Sequence, residues 1–150
     1  MKNPSEKTVR QQWMEVLARS SPDFLEKSFE ALSHPPDYLF LRRPETGLVM
    51  VRGRMDGEGD PFNLGEVAVT RCTVKSRAGY LGVACVRGTE KRHAELAACF
   101  DALLQDNRFY EEVMESVVKP SKERLLKEEV EARQKAEATR VDFFTMVRGE

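Results

Sequence analysis

Histidine, cysteine and tryptophan are scarce, at two, three and one among 150 residues. Cys72, Cys85 and Cys99 are odd in number and widely spaced, with no C-x-x-C pair. That disfavours a disulfide or zinc framework, and free buried thiols in a reducing compartment are expected instead. His34 sits in a linker before Pro35-Pro36 and reads as a surface residue. His93-Ala94-Glu95 supplies the H-x-E half of a zinc-deaminase signature, but the P-C-x-x-C half is missing. His93 is therefore expected in the exposed first turn of a helix. No serine or cysteine lies in a known nucleophile motif, which argues against a self-contained hydrolase. A net charge of −1 offers no global attraction to nucleic acid or anionic lipid. The opening residues lack the apolar core of a signal peptide, and no apolar run is long enough to span a bilayer. The expectation is a cytoplasmic protein that binds neither nucleic acid nor membrane.

With 41% hydrophobic and 33% charged residues, the chain has the material for one core and a charge-rich exterior. One domain over 1–150 is expected. Two stretches alternate with a period of two in β-branched company, Leu48 to Arg54 and Glu66 to Lys75. Both read as half-buried strands. Asp37 to Leu41 is a short aromatic first strand, and Arg42 to Gly47 turns the chain into the second. Ser76-Arg77-Ala78-Gly79 leads to a fourth run, Tyr80 to Arg87, where Gly82 and Ala84 share one face and mark a close packing contact. Short connections favour an antiparallel meander. The predicted class is α+β, with a sheet of about four strands packed on helices.

The first helix is expected to start at Ser5 and to carry Val9, Trp13, Val16 and Leu17 on one stripe. Ser21 and Pro22 start a second, with Phe24, Leu25, Phe29 and Leu32 apolar, which Pro35-Pro36 stops. Thr89 caps the clearest helix, whose stripe runs Ala94, Leu96, Ala97, Phe100, Leu103 and Leu104. Asp106-Asn107 weakens the pattern before Phe109, Tyr110, Val113, Met114 and Val117 resume it up to Pro120. Residues 121–137 are dense in alternating charge, a solvated helical arm projecting from the body. The tail after it, with Phe143, Phe144 and Met146, is apolar. It either folds back onto its own sheet or docks onto another chain. The second is preferred, because apolar surface carried on an arm marks an interaction site.

Between the two alternating strands lies Met55 to Gly65, rich in glycine and acid. Its Asp56, Glu58, Asp60 spacing begins like a calcium loop, but Pro61 and Val67 stand where that loop needs glycine and glutamate. Gly57-x-Gly59 is a poor phosphate cradle, because carboxylates surround it and no helix follows. If the two strands pair, Glu45, Arg52, Arg54, Glu66 and Arg71 are expected to crowd near one end of the sheet around the loop. Such a patch either binds an anionic ligand, fixes a partner's orientation, or is plain surface.

Read together, several segments resemble the PhnG family, a subunit of the bacterial carbon–phosphorus lyase core complex. They are Arg10-x-x-Trp13-Met14, Glu45-Thr46-Gly47-Leu48-Val49, Arg54-Met55-x-Gly57-x-Gly59, Gly65-Glu66 with Thr70-Arg71, and His93-Ala94-Glu95 with Asp101-Ala102-Leu103. The tail from Arg140 to Gly149 completes the set. Asp56 departs from the pattern, which has glycine in many members. The resemblance implies a role in phosphonate catabolism beside PhnH-, PhnI-, PhnJ- and PhnL-type subunits, with two copies in a two-fold symmetric assembly. It implies that the complex displaces adenine from ATP with an alkylphosphonate, giving a ribose 1-alkylphosphonate 5-triphosphate. Glycosidic substitution would fall to the PhnI type and carbon–phosphorus cleavage to the PhnJ type. This chain would then be an accessory subunit of a transferase/lyase complex, with no catalytic residue, cofactor or metal of its own. Its candidate interface or substrate-bordering residues are Glu45, Arg54, Glu66, Arg71, Phe143, Phe144 and Met146. The rival reading is a stand-alone nucleotide-processing enzyme with the glycine-rich loop as its site.

Overall fold

The computed structural model describes residues 7–34 and 36–141. Helix α1, Val9–Arg19, begins at Thr8, whose hydroxyl accepts the Gln11 N–H while the Gln11 side chain accepts the Thr8 N–H. This reciprocal box satisfies two donors that a helix start leaves open. The cap expected at Ser5 lies outside the described residues. Trp13 and Leu17 are buried as their spacing requires, but Val9 is exposed, because the first turn overhangs an open groove beside the C-terminal helix. Helix α2, Pro22–Glu30, starts with proline at its first position, as expected, and buries Leu25.

Three antiparallel strands follow in the order β1 (Tyr38–Arg54), β2 (Pro61–Ser76) and β3 (Leu81–Arg87), a meander. The strands expected at Asp37–Leu41 and Leu48–Arg54 are one. Glu45, Thr46 and Gly47 find partners in Arg71, Thr70 and Val69, and register shifts between Phe40 and Arg42 and between Arg42 and Glu45 absorb the extra residues. Pro44 lies inside one of these shifts on an edge strand, where a missing N–H breaks no ladder. Pairing thus overrides the local turn signal.

Helix α3, Lys91–Leu104, lies across one face of the sheet. Phe100, Leu96, Val74, Val86 and Cys72 form the centre of the core. The close contact foreseen at Gly82 is there: a Cβ on it would sit 1.8 Å from the Ala98 carbonyl oxygen. α3 starts after Glu90 rather than at Thr89, and His93 is buried, not exposed, with its Nε2 3.1 Å from the Leu17 carbonyl oxygen. The first turn of α3 packs under α1, which the isolated stripe did not reveal. Of the cysteines, Cys72 and Cys99 are buried, but Cys85 is exposed because it points to the uncovered face of β3.

Asp106 breaks the helix and caps α4, Asn107–Val113, accepting the Arg108 N–H at 3.0 Å. Pro120 does not stop the chain. A wide π turn over Met114–Val118 precedes it and relieves the clash between the ring and the carbonyl four residues back, so helix α5 runs Lys119–Ala138. Leu125 is buried against the body and Arg124 half-buried, while Leu126, Val130 and the other charged side chains of α5 are exposed. Among the described residues, no helix is long and apolar enough to cross a membrane.

Candidate functional site

β3 pairs with β2 only from Val69 to Lys75, and the Gly88 N–H closes that region on the Ala68 carbonyl at 2.8 Å. Past this point Gly47–Arg54 and Pro61–Ala68 continue as a ribbon of two strands. Eight residues of strand carry it about 27 Å. Pairing resumes at Pro61, so the eleven-residue loop expected from Met55 to Gly65 is a six-residue tip. Asp56 and Gly57 turn that tip with φ of 51° and 77°. The left-handed region suits glycine, which accounts for the glycine expected at position 56, and aspartate is among the residues that tolerate it.

The ribbon carries apolar side chains on both faces, with Glu66 beside Met50 on one of them. Register and alternation put Leu48 and Met50 on the face that α3 covers lower down, and Val49 and Val51 on the other. Leu48 is 67% exposed, Val49 48%, Met50 48% and Leu64 63%. A Cβ at Gly53 would come 2.9 Å from Leu64 Cδ1, so the glycine leaves room for Leu64 and Phe62 to lie over the strand. Burial of such side chains is worth roughly 1.5–3 kcal/mol each. Here the body withholds it.

The charges expected to crowd at one end are strung along the ribbon instead. Glu45 lies opposite Arg71 at its base, Glu66 opposite Met50 midway, and Arg54 opposite Pro61 at the tip. Nine residues separate Glu45 from Arg54, about 30 Å of strand. Glu66 and Arg71, an odd number of residues apart, point to opposite faces. Phe143, Phe144 and Met146 lie outside the described residues.

Two polar clusters brace the body. Asp101 is fully buried and takes four hydrogen bonds: Trp13 Nε1 at 2.8 Å and Arg10 Nε at 3.2 Å on Oδ1, Arg10 Nη2 at 2.8 Å and the Val83 N–H at 2.9 Å on Oδ2. Arg10 and Gln105 also donate to the Leu81 carbonyl. α1 and α3 thereby satisfy backbone groups of β3 along the sheet edge, which would otherwise be open to another strand. The hydrogen bond to Asp101 holds the Arg10 guanidinium above its ordinary pKa. In the second cluster, Arg92 forks onto Glu26 at 2.7 and 2.9 Å and reaches Glu95, which also accepts the Tyr38 hydroxyl proton. Burial first, then the Glu95 carboxylate, pushes the Cys72 thiol up to about 11 and Cys99 up to about 12. Neither is a thiolate nucleophile near neutral pH. Among the described residues, no three His, Cys, Asp or Glu side chains gather as metal ligands.

At the root of the ribbon, Thr70 donates its hydroxyl proton to the Gly88 carbonyl at 2.8 Å, which leaves Thr46 as donor in the 2.9 Å Thr46–Thr70 pair. Sequence reasoning singled out neither this pair nor the role of Asp101. The signal for Asp101 was present: a carboxylate flanked by Phe100 and Ala102 on a buried stripe demands donors, and Arg10 and Trp13 share one face of α1.

The family model for the phosphonate metabolism protein PhnG matches residues 8–149. A protein of Rhizobium meliloti (strain 1021), the alpha-D-ribose 1-methylphosphonate 5-triphosphate synthase subunit PhnG, is 46% identical over 144 residues, spanning 94% of this chain and 90% of its own length.

Proposed function

The chain belongs to the PhnG family of phosphonate metabolism proteins, and on that premise we propose that it is an accessory subunit of a ribose 1-methylphosphonate 5-triphosphate synthase. The observation that carries this reading is the match over nearly the whole chain to a relative named as a subunit of that synthase. The physical support is surface. A ribbon with apolar side chains on both faces is unfavourable in water, and a partner chain relieves it. The acidic tip, followed by a strand rather than a helix start, offers little to a triphosphate. The partners in this reading are PhnH-, PhnI-, PhnJ- and PhnL-type subunits, and catalysis rests with them, on ATP and an alkylphosphonate.

The discriminating experiment incubates ATP and methylphosphonate with the purified chain and, separately, with the chain co-purified with its partners. Adenine release is expected only from the second. Release by the lone chain would make the stand-alone enzyme the better account. In the complex, Arg71→Ala is expected to slow adenine release or weaken co-purification, and wild-type behaviour in both would return Arg71 to ordinary surface.

The tail, apolar in sequence at Phe143, Phe144 and Met146, is a second anchor in this proposal, because apolar residues at the end of an arm mark an interaction site. Deleting residues 141–150 should reduce co-purification with a PhnI-type subunit at least tenfold while leaving the thermal transition of the isolated chain in place. An undiminished complex would rule the anchor out.

A further inference from the structure

We propose that the ribbon formed by Gly47–Arg54 and Pro61–Ala68 inserts between two apolar walls of a single non-identical subunit of the assembly, with its acidic tip meeting basic side chains there. This rests on the subunit reading above and names the surface that the reading needs.

Three observations fix the kind of occupant. The first is that both faces carry exposed apolar side chains: Leu48 and Met50 on one, with Glu66 beside Met50, and Val49 and Val51 on the other. A second copy of this chain related by a two-fold axis would bring the same face of each ribbon together and leave the opposite faces in water. A cleft covers both. The second is size. Two strands about 27 Å long and about 10 Å across present on the order of 500 Å² over the two faces, before edges and tip are counted. That is most of what one side of a stable interface buries. The third is charge. Asp56, Glu58 and Asp60, all exposed, outnumber Arg54 at the tip, so the far end of the cleft is expected to supply cations. Strand addition along β1 is the poorer alternative, because Arg42, Arg43, Pro44, Arg52 and Arg54 blunt that edge.

The test uses the assembled complex with a photoreactive benzoylphenylalanine placed at Leu48, at Val49, or at Glu30 on α2 as a control. Leu48 and Val49 should each cross-link to the same polypeptide, different in mass from this chain, and Glu30 should not. Cross-linking to a second copy, or from one face only, or from neither in an intact complex, overturns the proposal. A Leu48→Lys, Val49→Lys double variant should lower the co-purified yield at least tenfold. Its isolated form should keep the wild-type melting temperature, since both side chains already face water. If wild type assembles and the double variant assembles equally well, the ribbon proposal falls and the subunit reading stands. If wild type itself fails to assemble with the co-expressed synthase subunits, both fall together.

Discussion

Asp101→Ala will destabilise the isolated chain by about 3–5 kcal/mol, the range for removing one partner of a buried charge pair. The carboxylate is fully buried and holds Arg10, Trp13 and the Val83 amide at once. Its removal leaves the indole N–H and a strand amide without partners, each loss worth about 1–3 kcal/mol. Arg10 retains partial access to water, so its own ion pair is the smaller part. Asp101→Asn should be only partly tolerated, because its amide group turns a donor toward donors. Against a whole stability of about 5–15 kcal/mol, the alanine change approaches unfolding. Urea denaturation of wild type, Arg10→Ala, Asp101→Ala and the double variant checks this, and the double should be far less than additive. A loss under about 1 kcal/mol for Asp101→Ala would show that the four hydrogen bonds do not hold α1, α3 and β3 together.

Gly82→Ala will be comparably harmful for an opposite reason, by adding an atom. The new Cβ would lie 1.8 Å from the Ala98 carbonyl oxygen and 2.9 Å from both the Ala102 Cβ and its backbone nitrogen. The obstructing atoms include helix backbone, which no side-chain rotation clears. β3 must then lift from α3, and a loss of about 3 kcal/mol or more is expected, the upper end for overpacked cores. Gly47→Ala is the control. Nothing lies within 4 Å of a Cβ at that position, so its stability should stay within about 0.5 kcal/mol of wild type. Equal thermal shifts for the two variants would mean that the closeness of β3 to α3 does not limit the packing.

The elements of local origin were readable residue by residue. The period of two in Leu48–Arg54 and Glu66–Lys75, the proline at the start of α2 and the stripe of α3 each report a constraint acting within a few residues. The small side chains at Gly82 and Ala84 even announced a contact whose other half lay elsewhere. Misreadings occur where a distant partner overrides the local signal. Arg42 to Gly47 carries turn chemistry, yet β2 supplies Arg71, Thr70 and Val69 opposite its last three residues and keeps it in a strand. His93 reads as surface until α1 lies over it.

The candidate site divides along the same line. Sequence alone determined that the chain is α+β, that two of its stretches alternate as strands do, and that its motifs resemble those of one family. Those properties depend on residue type and short-range order. Only the tertiary structure decided which of those alternating side chains are covered. β3 ends at Arg87 while β1 and β2 run on, so side chains that alternate as if half-buried stand clear of the body on a ribbon exposed on both faces. Alternation says which residues share a face. Whether anything covers that face depends on the length of a third strand and the position of a helix far along the chain.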